Sequence, residues 1–114
     1  MKRKIVFFEN YFFEFYNKQD EKTRKKIDFV IDLIKNVDRV PIKFLKYLDS
    51  TDGLYEIKVS TTLKRIRIFC FFDKNRLIIL INCFVKKTQK TPKNDLNLAI
   101  KLKKKYFVTK KEKY

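Results

Sequence analysis

The sequence predicts an α+β fold: one small, largely antiparallel sheet with two N-terminal helices on one face and a C-terminal helix, in the order β-α-α-β-β-β-α. Three observations carry this. The runs Leu63–Phe72 and Leu77–Val85 are dense in Ile, Phe, Leu and Val, and Asp73-Lys74-Asn75-Arg76 separates them, the pattern of a β-hairpin. Just ahead, Leu54–Ser60 alternates, with Tyr55, Ile57 and Val59 on one side and Leu54, Glu56, Lys58 and Ser60 on the other. Earlier still, Ile27, Val30, Ile31 and Ile34 fall at i, i+3, i+4 and i+7, the period of one buried helical stripe.

Taken in order, Lys2 to Phe8 reads as a short strand with Ile5 and Phe7 on one side and Val6 and Phe8 on the other. Asn10 is a plausible N-cap for a short helix carrying Phe12, Phe13, Phe15 and Tyr16 and ending near Asn17. Those aromatics suit a core better than a binding surface. Asp20 is the next N-cap, with Glu21 in the first turn, for a helix reaching about Val37. Its basic residues Lys22, Arg24, Lys25, Lys26 and Lys35 lie largely off the apolar stripe, as a solvated face would. Val40–Asp49 is open between a helical turn and a packed loop. Asp52-Gly53 signals a turn and contains the only glycine. After the hairpin comes a basic loop, then Thr91 as N-cap and Pro92 at the first helical position. The final helix shows Leu96, Ala99, Ile100 and Lys103 on one face, and Thr109–Tyr114 reads as a frayed tail.

A two-residue loop, Lys74-Asn75, would set the hairpin register. Phe72 would then face Leu77, Cys70 face Ile79, Ile68 face Ile81 and Ile66 face Cys83, giving one wholly apolar face for the helices. The other face would carry Arg65 opposite Phe84, Arg67 opposite Asn82, Phe69 opposite Leu80 and Phe71 opposite Ile78. One end of it would be cationic and the other aromatic, and it would stay open. In that register Cys70 and Cys83 stand roughly 13 Å apart at ~3.3 Å per residue, beyond disulfide reach. They read as buried thiols.

At 114 residues the chain reads as a single domain, residues 1–114. A hydrophobic fraction of 45% and aromatic fraction of 16% exclude a disordered tail. One glycine and two prolines exclude collagen-like and low-complexity classes. Lys and Arg number 29 against 13 acidic residues, a net charge of +16, and such a field draws polyanions. Nucleic acid is the foremost candidate partner, an acidic protein second and an anionic membrane third; a general excess of Lys on every surface is the plainer alternative. No run reaches the ~20 apolar residues of a membrane span. The start MKRKIVFFEN has too short an apolar stretch for a secretory signal, so the expected location is cytoplasmic.

Histidine is absent, which removes the commonest general base and any Ser-His or Cys-His nucleophile. One glycine cannot build a phosphate-cradling loop, and the scattered carboxylates make no metal cluster. Cationic chemistry on the open sheet face remains. With the Tyr55 strand beside the hairpin, Glu56, Lys58, Arg67, Asn82 and Lys86 converge there, with Lys87 and Lys90 on the following loop. That set suits a phosphodiester. Arg67 can grip a phosphate with its planar fork. Lys58 with Lys86 or Lys87 can stabilise developing charge. Glu56 is the one carboxylate placed to take a proton, and Phe84 offers a face for base stacking. A solvated basic sheet face is the bland counterpart.

Three runs carry a resemblance: Gly53-Leu54-Tyr55-Glu56-Ile57-Lys58-Val59, Arg67-Ile68-Phe69-Cys70-Phe71-Phe72 and Phe84-Val85-Lys86-Lys87-Thr88-Gln89-Lys90-Thr91-Pro92. In order and spacing they resemble the RelE/HigB toxin superfamily, in particular its HigB-like, phage-derived branch. The likeness spans nearly the whole chain, and the third run is its most specific part. It implies a RelE-like fold and a type II toxin: a ribosome-dependent endoribonuclease that cuts mRNA by attack of a ribose 2′-hydroxyl on the neighbouring phosphate, with no metal or other cofactor. It implies as partners mRNA on the ribosome and a cognate helix-turn-helix antitoxin, with operator DNA reached only through the antitoxin complex, and no membrane. By position, Lys58 matches the basic residue closing the Tyr-x-Ile-basic strand motif and Arg67 the phosphate-gripping arginine. Lys86 or Lys87 matches the basic residue after the last strand. Glu56 falls where RelE-type members have a second catalytic Lys, so it is either the base or a structural residue. Arg65, Asn82, Phe84 and Lys90 accompany these as RNA-binding candidates. The tyrosine such proteins use early in the last helix has no counterpart; Tyr106 comes later. A non-catalytic nucleic-acid-binding module and a phage-derived structural protein stand as alternatives.

Overall fold

The computed structural model describes residues 2–112, the side chain of Glu112 excepted. The elements are β1 (Lys4–Phe7), α1 (Tyr11–Asn17), α2 (Glu21–Asn36), β2 (Leu45–Tyr47), β3 (Leu54–Ser60), β4 (Arg65–Phe72), β5 (Leu77–Val85) and α3 (Lys93–Glu112). The strands form one five-stranded sheet in the order β1-β5-β4-β3-β2. All neighbours are antiparallel except β1, which runs parallel to β5. The α+β class and the helix order are as the sequence predicts. The strand β2 is an addition: Leu45 and Tyr47 pair with Ile57 and Tyr55 where a helical turn or loop was expected.

Two cores flank the sheet. On one face, Phe12 of α1 and Ile27, Val30 and Ile34 of α2 pack on Ile57, Val59, Ile66, Ile68, Cys70, Ile78 and Leu80. The α2 stripe is therefore the predicted one, and Asp20 caps the helix as predicted, accepting from Thr23 N at 2.8 Å. On the other face, Ala99 and Leu102 of α3 pack on Leu54, Phe69, Phe71, Ile79, Ile81 and Phe84. That face was expected to be open; its aromatic half is covered. The reason is chemical: Phe69 and Phe71 are fully buried, and exposing them would cost several kcal/mol.

The hairpin register differs from expectation, and the turn is the cause. Asp73 N donates to Leu77 O at 2.8 Å, so the loop is Lys74–Arg76, with Lys74 in the left-handed region at φ 71°. Phe72 consequently faces Ile78, Phe71 faces Ile79 and Cys70 faces Leu80. A one-residue slip exchanges faces. Ile79 and Ile81, expected towards α1 and α2, lie under α3, while Ile78 and Leu80 take the opposite side. Further along, Ile68 pairs with Cys83, so Phe69 alone stands against Ile81 and Asn82. This β-bulge returns Cys83 and Val85 to the α1–α2 face and Phe84 to the α3 face. Arg67 faces Phe84 instead of Asn82, and Arg65 faces Ser60 across β3 instead of Phe84 across β5. Cys83 sits opposite Ile68, two positions from Cys70, so the thiols are diagonal neighbours, nearer than expected; both are free, and burial pushes both pKa values up.

α3 is fixed at the turn end of the sheet. The nearly buried Asp73 carboxylate accepts from Tyr106 Oη at 2.8 Å and from Lys110 Nζ at 2.7 Å. Lys103 Nζ donates to Asp52 O across Gly53, whose φ of 80° favours glycine and where an added Cβ would stand 2.9 Å from that ammonium. Pro92 O accepts from Leu96 N, so the helix begins one residue after the predicted first position. At the other end Thr109 to Glu112, expected as a frayed tail, continue the helix; Lys113 and Tyr114 of that tail lie outside the described residues.

The hydrogen bond from Lys110, with that from Tyr106, holds the Asp73 carboxyl below its ordinary range against the opposing effect of burial. A carboxyl whose pKa is depressed on folding adds stability above its unfolded pKa, and this is lost as pH falls towards the folded value. Asp73→Ala is therefore expected to lower unfolding stability by about 1–3 kcal/mol at neutral pH, and by less in acid, measured by urea titration at both pH values.

Candidate active site

Beyond the N-terminal end of α3 the same sheet face changes from aromatic to cationic. Its residues fall into three rows across the strands. Lys46, Glu56 and Phe69 are successive cross-strand partners on β2, β3 and β4. Lys58, Arg67 and Phe84 form the next row on β3, β4 and β5. Ser60 and Arg65 form the third, where Lys86 N donates to Arg65 O at 2.7 Å. Neighbours within a row are ~4.8 Å apart and rows ~7 Å apart by strand geometry. Strand alternation puts Glu56 and Lys58, Arg65 and Arg67, and Phe84 and Lys86 on one side.

Arg67 is the centre. It is only 8% exposed, its Nη1 donates to Ile66 O at 3.1 Å, and its Nε has no hydrogen-bond partner among the described residues. Burial lowers its pKa, Glu56 opposes this, and Arg65 adds to it. An arginine stays charged under such a shift. Lys58 is half-buried and its ammonium is disfavoured, first by burial, then by Lys46 and Arg67, with Glu56 opposing and Lys86 adding. The cations are thus crowded and partly desolvated, the condition under which they bind an anion most strongly.

Two neutral or acidic groups sit beneath them. Glu56 is 3% exposed with Oε2 lacking a hydrogen-bond partner among the described residues. Asn82, in the bulge, is 2% exposed; its Nδ2 donates to Asp95 O in the first turn of α3 at 3.0 Å, and its Oδ1 has no partner among the described residues. Phe84 is 7% exposed and lies on Phe69 with ring centroids 5.4 Å apart, so it forms a wall more than a free stacking platform.

The structure therefore brings Glu56, Lys58, Arg65, Arg67, Asn82, Phe84 and Lys86 to one face. Lys87 and Lys90 lie exposed on the connection to α3. Lys87 shares a shallow groove with Arg65 and Lys86, and Lys90 does not line it. Tyr106 is remote: it packs on Phe8, Phe71 and Phe107 at the turn end and donates to Asp73. The sequence reading does not single out Lys46, because the site reaches it only through β2. The available signal is the alternation Leu45-Lys46-Tyr47 beside the Leu48 that joins the α3 core.

Chemically, this is a cationic face with a desolvated guanidinium, a lysine whose ammonium is disfavoured, and a buried carboxylate, and its donors suit an anion. Among the described residues no group of three His, Cys, Asp or Glu is disposed to hold a metal ion, and no helix is long and apolar enough to cross a membrane.

The fold is that of RelE. The chain superposes on a structure of the E. coli toxin RelE, a mutant in the free state, with a TM-score of 0.61 over 89% of this chain and 97% of that one, at 18% sequence identity. A family model described as Phage derived protein Gp49-like (DUF891) matches residues 14–104, and the chain belongs to that family. No curated protein sequence matches.

Glu56 and Arg67 are diagonal neighbours across β3 and β4, both buried, and the carboxylate favours the guanidinium's charge, so removing one leaves the other less compensated. Arg67→Met alone is expected to lower the thermal midpoint. The double change Arg67→Met with Glu56→Leu is expected to restore it to the wild-type value or above, read by calorimetry.

Proposed function

We propose that this chain is a RelE-type toxin, of the HigB-like branch, that cleaves mRNA in the ribosomal decoding site without a metal ion. The observation that carries the reading is Arg67: a buried guanidinium with an unpartnered Nε, ringed by Lys58, Arg65 and Lys86, on the RelE fold. A purely structural arginine would be expected to satisfy its donors.

In this reading Arg67 holds the non-bridging oxygens of the scissile phosphate. The adjacent ribose 2′-hydroxyl attacks phosphorus, and the bond to the 5′-oxygen of the next nucleotide breaks. The products are a 2′,3′-cyclic phosphate and a free 5′-hydroxyl. Lys58 in its neutral form takes the 2′-hydroxyl proton, since its ammonium is disfavoured and its side chain is half-exposed. Lys86, or Lys87 beside it, offsets charge on the phosphate and gives a proton to the departing 5′-oxygen. Glu56, buried below, acts as a positioning residue for Arg67 and Lys58 in preference to exchanging protons with substrate. Arg65, Asn82, Phe84 and Lys90 shape the approach of RNA.

The partners follow from the same reading. A helix-turn-helix antitoxin neutralises the toxin in the cytoplasm, presenting acidic groups to the +16 chain, and the complex meets operator DNA through the antitoxin. The residues 1–114 act as one domain.

Induced expression in a tightly repressed bacterial host tests this. Wild type is expected to arrest growth and leave discrete primer-extension stops in translated mRNA. Arg67→Ala, folded by circular dichroism, is expected to lose at least about 10²-fold in cleavage. Normal growth and intact mRNA with soluble wild type would instead support a non-catalytic nucleic-acid-binding module. Cleavage is also expected to rise with pH through the lowered pKa of Lys58, because the neutral form is the acceptor. Lys58→Arg, which stays charged, is expected to abolish that rise in single-turnover assays.

A further inference from the structure

The cationic face does not end at Lys58. Lys46, exposed at the centre of β2, stands directly opposite Glu56 on β3, so the two share a face. Its neighbours confirm the side: Leu45 packs in the α1–α2 core and Leu48 in the α3 core. Lys46 has no hydrogen-bond or ion-pair partner among the described residues. Among the charged groups acting on Lys58 it weighs most. A lysine on an edge strand commonly serves to discourage edge-to-edge pairing. Here the charge sits on the face with Lys58 and Arg67, where the single Glu56 carboxylate is outnumbered by cations.

The spacing of these cations suits a polyanion. Lys46, then Lys58 with Arg67, then Arg65 with Lys86 are three cationic stations on successive rows, each ~7 Å from the last along the strands. Successive phosphates of an extended single strand can follow such a line. We propose that Lys46 is a phosphate-binding residue flanking the Arg67 station, and that the site takes an extended single-stranded RNA held at several consecutive phosphates. This rests on the reading of Arg67 as the phosphate site, and adds to it a direction for the strand and a residue at the sheet edge.

The test is binding of non-cleavable, 2′-O-methylated single-stranded oligonucleotides to the full chain, free of antitoxin, followed by fluorescence anisotropy across a salt series. Lys46→Ala is expected to lower the slope of log K against log salt by about 0.7, the loss of one phosphate contact on a single strand. Affinity for a hexanucleotide falls several-fold at low salt, while a dinucleotide, whose one phosphate fills the Arg67 station, binds as before. Lys46→Arg is expected to keep the wild-type slope. Equal slopes and affinities for wild type and Lys46→Ala overturn the proposal while leaving the Arg67 reading intact. Equal competition by a duplex of the same sequence overturns the single-strand assignment. A wild type that binds no oligonucleotide, or an Arg67→Ala variant that binds like wild type, overturns the Arg67 reading and this inference with it. Because Lys46 is exposed, unchanged unfolding midpoints verify that the Lys46 variants are folded, and circular dichroism does so for Arg67→Ala.

Discussion

The bulge at Ile81–Asn82 decides which way the cationic face points. The three-residue turn shifts the pairing of β4 with β5 by one residue. Carried unbroken to the far end of β5, that shift would turn Phe84 and Lys86 towards the core of α1 and α2, and put Cys83 and Val85 beside Arg67. Burying the Lys86 ammonium among Ile66, Ile68 and Val59 would cost several kcal/mol. Setting two residues against Phe69 restores the alternation. The extra residue is itself tied down, since Asn82 donates to Asp95 in the first turn of α3. One irregularity therefore aligns Arg67 with Phe84, positions Lys86 beside Arg65 and fixes where α3 begins.

α3 then divides the face. At the turn end it is held by Asp73, Tyr106 and Lys110 and by Lys103 over Gly53, on a bed of Phe69 and Phe71. At its N-terminal end the cover stops, and the sheet surface becomes Lys46, Lys58, Arg65, Arg67 and Lys86. The first half is built as a protein interior, with its polar groups paired. The second leaves Glu56 Oε2, Arg67 Nε and Asn82 Oδ1 buried without hydrogen-bond partners among the described residues and sets like charges on adjacent strands. Of the three, Arg67 Nε is the donor that an anion could satisfy, and perturbed groups of this kind cluster at functional sites.

Much of this was legible in the sequence because strict periods leave little choice. The alternation in Leu54–Ser60 and in β1 assigned both faces correctly, and the Ile27–Ile34 stripe found the helix core. The hairpin was not legible, for a physical reason. Near the turn both its strands are apolar on both faces, since helices cover each side there, so alternation holds no information about register. Register then hangs on the turn, and Asp73-Lys74-Asn75-Arg76 contains no glycine to mark the left-handed position, which Lys74 takes. β2 was hidden because Phe44, Leu45 and Leu48 also fit a helical period, and Lys46 was hidden with it. Lys58, Arg67 and Lys86 emerged correctly on one face because the slip and the bulge offset each other between the turn and the far end of the strands.

In the proposed reaction Arg67 and its neighbours break RNA by internal attack of the ribose on the phosphate. The most direct measurement is the chemistry of the cut ends when purified protein acts on mRNA programmed into ribosomes. A 2′,3′-cyclic phosphate, or the monophosphate from its opening, on the upstream fragment and a 5′-hydroxyl on the downstream one is the predicted result. A 3′-hydroxyl with a 5′-phosphate would mean that an external nucleophile attacks, and would contradict the account.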